Sequence, residues 1–162
     1  MKTKYLCFLI LLFPLLSGCN DTDDVAKIFL GKTWKLTDIL EGNASSDYWD
    51  GDETAEEASR ASMQEGSNCT IAFSGTITGN TITDGTCSGR GIDNSFSGTW
   101  DADGESRTFS STITPTTDSD VLGKAFLDGL NNATSYSGDE SNLYIYFKEE
   151  GITKCLLFHV QE

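Results

Sequence analysis

The chain has 162 residues, with 11 basic side chains against 25 acidic ones and a formal net charge of −14. A surface of that sign repels phosphate backbones and anionic head groups, which excludes nucleic acid as a partner class. A single histidine and the absence of any Cys-x-x-Cys exclude the usual structural zinc patterns.

Lys2 and Lys4 precede an apolar run from Leu6 to Leu16. That run is shorter than the roughly 20 apolar residues a bilayer span requires, and it has the dimensions of a signal-peptide core. It ends in Leu16-Ser17-Gly18-Cys19, which resembles the bacterial lipobox. The resemblance implies that residues 1–18 are a signal peptide removed in maturation, that Cys19 carries a diacylglycerol, and that residues 19–24 are a lipidated cysteine with an acidic tether. Two or more acyl chains hold a protein stably where one does so only marginally. The stretch Asn20-Asp21-Thr22-Asp23-Asp24 resembles the acidic signal that directs some Bacteroidota lipoproteins to the outer cell surface. A solvated helix start explains the same acids, so the expected address is the cell envelope, lipid-anchored to the outer membrane, with the surface and the periplasmic face both open.

Residues 25–162 are expected to form one domain. Thr22 to Leu30 reads as a short helix, with acids at its start and Gly31 just past its end. A strand follows near 32–40, where Trp34 and Leu36 alternate with Lys35 and Thr37. Residues 43–66 are acidic and poor in large apolar groups. Thr54 and Glu57 have capping-box spacing there, so a surface helix and a loop are both open.

Three hairpins come next. In the first, Gly79-Asn80 is a two-residue turn that places Ile82 opposite Ile77, on the face of Ile71 and Phe73. The second turns at Asp103-Gly104, pairing residues whose numbers sum to 207. It puts Phe96, Trp100, Phe109 and Ile113 on one side and serines, threonines and aspartates on the other. Residues 119–131 read as a helix with Val121, Leu122, Ala125, Phe126 and Leu130 along one side. The third hairpin turns near Glu150-Gly151, with Leu143, Ile145, Phe147, Leu156, Phe158 and Val160 facing the core. Its other face carries Tyr144, Tyr146, Cys155, Leu157 and His159. That face is too apolar for open water, and the 119–131 helix is its expected cover. The fold class is mainly β: an antiparallel meander closing into a small barrel with one or two short helices, an eighth strand being drawn from residues 43–66. A β-sandwich is the alternative.

Cys69, Cys87 and Cys155 remain once Cys7 leaves with the signal and Cys19 is acylated. In an oxidising compartment they allow one disulfide in three pairings, or three buried free thiols. Cys69–Cys87 is the favoured pair, with a loop worth about 3 kcal/mol in the chain-entropy treatment.

Chemistry-bearing residues are sparse. His159 is expected to be structural or exposed, and neither a Gly-x-Ser-x-Gly nor a phosphate-loop pattern occurs. Asp47, Asp50 and Asp52 surround Gly51 with the hard oxygens calcium takes, without completing an EF-hand loop. An acidic loop explains the same residues, and no cofactor is expected. Tyr48 and Trp49 in that stretch are candidate contacts for a ligand, as are Tyr144, Tyr146 and Leu157 for a partner.

Gly31-Lys32-Thr33-Trp34-Lys35-Leu36, after a short helix and at the start of the first strand, resembles the Gly-x-Trp opening of lipocalin-like barrels. With the lipobox and the ending Cys155-Leu156-Leu157-Phe158, the chain is similar to small lipocalin-like lipoproteins of Bacteroidota, many of unknown function. The spacing here is Gly-x-x-Trp, and Lys154 alone stands for the basic residue those barrels place near the last strand. Trp34 is expected to plug one barrel end. The reading that follows is a lipid-anchored, non-enzymatic binding or accessory domain of the envelope, for a small apolar ligand or an envelope protein. A protein–protein adaptor using Tyr144, Tyr146 and Leu157 is the second reading, and a carboxylate-dependent hydrolase the third.

Overall fold

The computed structural model describes residues 24–41 and 48–161. The expected signal peptide, Cys19, nearly all of the tether and Asp47 lie outside them. Asp24 accepts the Lys27 backbone N–H at 3.1 Å and so starts helix α1 (Val25–Phe29), whose Val25, Ile28 and Phe29 are buried. Gly31, at φ 76°, turns the chain out of the helix and into strand β1 (Thr33–Glu41). Helix α2 (Glu53–Gln64) follows, then β2 (Thr70–Ser74), β3 (Ile77–Thr78), β4 (Thr81–Arg90), β5 (Ser95–Asp103) and β6 (Thr108–Thr114). Helix α3 (Val121–Asn131) precedes β7 (Ala133–Gly138), β8 (Asn142–Glu149) and β9 (Ile152–Val160).

The strands hydrogen-bond in the order β2–β1–β9–β8–β7–β6–β5–β4, and β4 pairs back with β2. The result is an eight-stranded antiparallel closed barrel, with β3 continuing along β4 beyond the end of β2. Closure removes the free edges a one-sided sheet would leave, and the sandwich alternative is set aside. The interior is filled. Phe29 enters from α1 and stacks on Phe109, with ring centroids 5.5 Å apart, while touching Phe73, Trp100 and Tyr136. Trp34 is wholly buried, as expected for a plug, with the Lys32 ammonium 5.3 Å from its ring. From α3, Phe126 reaches Phe96 and Phe158.

Several expectations need correction. The eighth barrel strand is β7, not a piece of residues 43–66, which form α2 instead. Asp52 rather than Thr54 caps that helix, its carboxylate accepting the Thr54 and Ala55 amides. The first hairpin keeps Ile77 opposite Ile82, but β2 runs one residue out of that register, with Phe73 opposite Cys87. Irregularities at Gly75-Thr76 and at Asp84 (φ 54°) absorb the odd residue, leaving Ile82 buried and Ile77 exposed. The second hairpin pairs Asp103 with Thr108, four residues from the expected register. The Asp103 carboxylate accepts the Glu105 and Ser106 amides, and the Gly104 N–H is taken by the Asn80 carbonyl at 3.0 Å. The turn is therefore a loop of residues 104–107, closed by Arg107 at φ 57°. A slip of an even number leaves sides unchanged, and Phe96, Trp100, Phe109 and Ile113 are all buried. The third hairpin turns at Glu150-Gly151 as expected, both with positive φ. Helix α3 does not cover its outer face. It packs on the core side, where Gly129 lies against Leu156 so closely that an added Cβ would sit 3.0 Å from its methyls.

Trp100 ties the closure together. Its indole N–H lies between the Ser74 carbonyl at 3.0 Å and the Thr86 carbonyl at 3.1 Å, spanning β2 and β4. The ring passes over Gly85, where any Cβ would overlap it. Phe29→Ala should cost about 3–5 kcal/mol and Gly85→Ala about 1–3 kcal/mol, both read from urea midpoints at unchanged m.

Asp118 fixes α3 to the barrel. Buried ahead of the helix, its carboxylate accepts backbone N–H groups of Ile92, Asp93, Asn94 and Asp120 at 3.0–3.3 Å. Burial alone pushes the carboxyl up, but these four donors outweigh it and hold the group below the usual carboxylate range. A folded pKa below the unfolded one means the stabilisation is complete above the ordinary value and is lost as pH falls through the folded one. Asp118→Asn should cost about 2–3 kcal/mol at neutral pH and flatten the acid limb of stability against pH in circular dichroism melts.

Candidate functional site

β1 runs from α1 at one end of the barrel to Glu41 at the other, where β8 ends at Glu149 and β9 begins. At this mouth Lys154 points inward, only 12% exposed, with its ammonium 2.6 Å from Glu149 and 3.1 Å from Glu41. Burial opposes its charge, yet the two carboxylates hold its pKa above that of an ordinary lysine. The same ammonium lies 4.7 Å from the centre of the Tyr48 ring. Tyr48 meets Trp49 edge to face at 4.8 Å. Burial, then the negative charges of Glu149, Asp128 and Glu41, push the Tyr48 phenol above its usual value, so it stays a neutral hydroxyl.

Tyr48 and Trp49 line a pocket of about 300 Å³ with Asp50, Asp52, Ala55, Val121, Lys124, Ala125, Asp128 and Glu149. Helix α3 supplies its floor because Val121 stays exposed and the small Ala125, buried one turn on, reaches the pocket wall, while Leu122 and Phe126 go to the core. Lys124 is held by Asp128 at 2.6 Å, a pair one helical turn apart. A larger depression, about 460 Å³, lies over β4, β5, β6 and the start of β7, away from the aromatic pair. Its polar groups serve the fold itself: Asp103 holds the loop and Thr81, and Asp101 accepts the Asp84 amide. The mouth, which alone of the two carries the partly exposed aromatic pair, is the better candidate.

The structure brings Tyr48 and Trp49 together and keeps Tyr144, Tyr146 and Leu157 apart from them, on the outer wall. There Tyr144 pairs across with Leu157 and Tyr146 with Cys155, and the Tyr146 hydroxyl meets Ser137 at 3.1 Å. All three are half-buried by their neighbours. His159 is exposed on that wall. Asp52 spends its carboxylate on capping α2, and among the described residues no three His, Cys, Asp or Glu side chains gather closely enough to hold a metal. Asp50 lines the pocket, and Asp47, the third residue of the calcium candidate, lies outside the described residues. Lys154, Lys124 and Val121 were not sequence candidates for contact. The only signal was that Lys154 stands alone as a basic residue near the last strand.

The expected Cys69–Cys87 disulfide is corrected: both are buried free thiols, as is Cys155. Cys69 donates its amide to Gly91, four residues along β4 from Cys87. At about 3.3 Å per strand residue that separation far exceeds the 7 Å limit for a bridge. Burial pushes the thiols up to about 12 for Cys69, about 11 for Cys87 and about 12 for Cys155, so all are protonated at neutral pH. A thiol reagent should leave the native protein unlabelled at these positions, then label all three in denaturant without prior reduction, as counted by mass spectrometry.

Among the described residues no helix is long and apolar enough to cross a membrane. No curated protein matches the chain. Of solved structures, it is similar to a DUF4847 family protein from Bacteroides vulgatus ATCC 8482, known from a crystal structure at 1.00 Å resolution. The two share 29% identity over 83% of this chain and 96% of that one, with a TM-score of 0.58. A domain family of unknown function, DUF4847, matches residues 20–160. With that match spanning nearly the whole of the barrel-forming sequence, the chain belongs to the DUF4847 family.

Proposed function

We propose that this protein is a lipid-anchored, non-enzymatic binding domain of the cell envelope, which takes its ligand at the mouth of a filled barrel. The observation that carries the reading is the Tyr48–Trp49 pair, half-buried and set edge to face over a pocket of about 300 Å³. Aromatic rings kept partly in water offer a ligand a rigid apolar contact at little entropic cost. Inside the barrel, by contrast, Phe29, Trp34, Trp100 and Phe126 occupy the space an enclosed ligand would need. The lipobox ending in Cys19 and the acidic stretch after it support the anchor and the envelope address.

Three of the four pocket carboxylates have structural work already: Asp52 caps α2, Asp128 holds Lys124 and Glu149 holds Lys154, which leaves Asp50. This supports binding over acid–base catalysis, which needs a pair of carboxyls free to exchange protons.

Radiolabelled palmitate fed to the native host should label the protein, and Cys19→Ser should abolish the label. Native mass spectrometry of the protein from host membranes should show a retained ligand that Trp49→Ala loses while its melting temperature is unchanged. Retention of the molecule by Trp49→Ala, or none in either protein, would overturn mouth binding.

A further inference from the structure

The pocket at Tyr48 and Trp49 continues as a groove. A second depression of about 300 Å³ lies between the start of α2 and the start of α3, lined by Asp52, Thr54, Ala55, Ala58, Ser59, Asp120 and Val121. It shares Asp52, Ala55 and Val121 with the first. The floor is alanine and valine, and Val121 is left 60% exposed, the most exposed large apolar side chain among the described residues. The rim is acidic. Asp50, Asp52, Asp120, Asp128 and Glu149 face the two depressions, against Lys124 alone among the lining residues.

Two helix N-termini meet here, and bare ones would favour an anion. Both are already occupied by carboxylates. Asp52 accepts the Thr54 and Ala55 amides, and Asp120 accepts those of Leu122 and Gly123. What is left is a surplus of negative charge beside an apolar floor, on a chain of net charge −14. A purely apolar ligand leaves that negative charge unmatched, and an anion is repelled by it. Lys154 already shows how a cation is received, with its ammonium over the Tyr48 ring and against two carboxylates.

We infer that the groove between α2 and α3 docks a basic amphipathic peptide segment, with an apolar side chain on Val121 and Ala125 and lysine or arginine against the acidic rim and the Trp49 ring. The inference rests on the mouth-binding reading and names its ligand class. From Asp52 to Ser59 the groove follows about two turns of helix, roughly 10 Å, enough for a few residues of the segment.

The test titrates the full chain with a synthetic twelve-residue lysine–leucine peptide and with versions carrying glutamate or serine for lysine. Tryptophan emission is the readout, because Trp34 and Trp100 are buried and only Trp49 reports on the groove. The lysine peptide should shift the emission, and Trp49→Phe should remove the shift. Val121→Lys, at an exposed position, should weaken binding by about tenfold or more. Ile77→Lys, the same gain of charge at an exposed apolar position of β3 at the far end of the barrel, should change it by less than about twofold. Equal weakening by both variants would reduce the effect to general charge and overturn the groove. A shift as large with the serine or glutamate peptide would overturn the ligand class and leave the mouth-binding reading standing. No Trp49 response to any peptide would overturn the inference, whereas loss of the retained molecule in Trp49→Ala tests the mouth-binding reading separately.

Discussion

The pairing of β2 with β4 turns a sheet into a barrel, and the rest of the structure depends on that seam. Each strand here hides one row of side chains and wets the other, so an open sheet would leave both its edges and part of its apolar face in water. At the seam the Trp100 indole reaches across from β5, over the bare backbone of Gly85, to carbonyls on both seam strands. Phe29 then wedges against Phe73 of β2, Trp100 of β5, Phe109 of β6 and Tyr136 of β7. A five-residue helix of little intrinsic stability is thereby bound to four strands at once.

The opposite end is built differently. Helix α3 is so widely apolar that Leu122, Phe126, Leu127 and Leu130 all go inside, and Asp118 fastens its start to the β4–β5 loop through backbone amides. Helix α2 is polar, with only Ser59 fully buried, and rests over the outer turns of the mouth. One firmly held helix and one lightly held helix thus frame the groove, with aromatic rings at one end and carboxylates along its sides. Under the proposed mouth binding, recognition falls to shape and charge at the rim, because buried side chains fill the core.

Much of the barrel was legible in the sequence, and its gaps have physical causes. Alternation located the faces of Phe96, Trp100, Phe109 and Ile113 because inward and outward positions survive any even slip in register. The slip itself was invisible, since it comes from the Asp103 side chain competing with the two-residue turn that Asp-Gly would otherwise make. β7 was missed because Ala133-Thr134-Ser135-Tyr136-Ser137-Gly138 holds one large apolar residue and so has no period to read. The apolar stripe of α3 was plain, but a stripe says that a helix must dock, not on which surface. Tyr48 and Trp49 could be picked out by residue type alone. Lys154, Lys124 and Val121 could not, because only the closed barrel and the two helix starts carry them to the same place.

The direction of β1 has a consequence for how the domain stands. Its nine residues, at about 3.3 Å each, set α1 and the mouth some 30 Å apart, at opposite poles. Were Cys19 acylated as proposed, the four residues from Asn20 to Asp23 would reach at most about 14 Å, and the α1 pole would stand against the lipid with the groove turned to the medium.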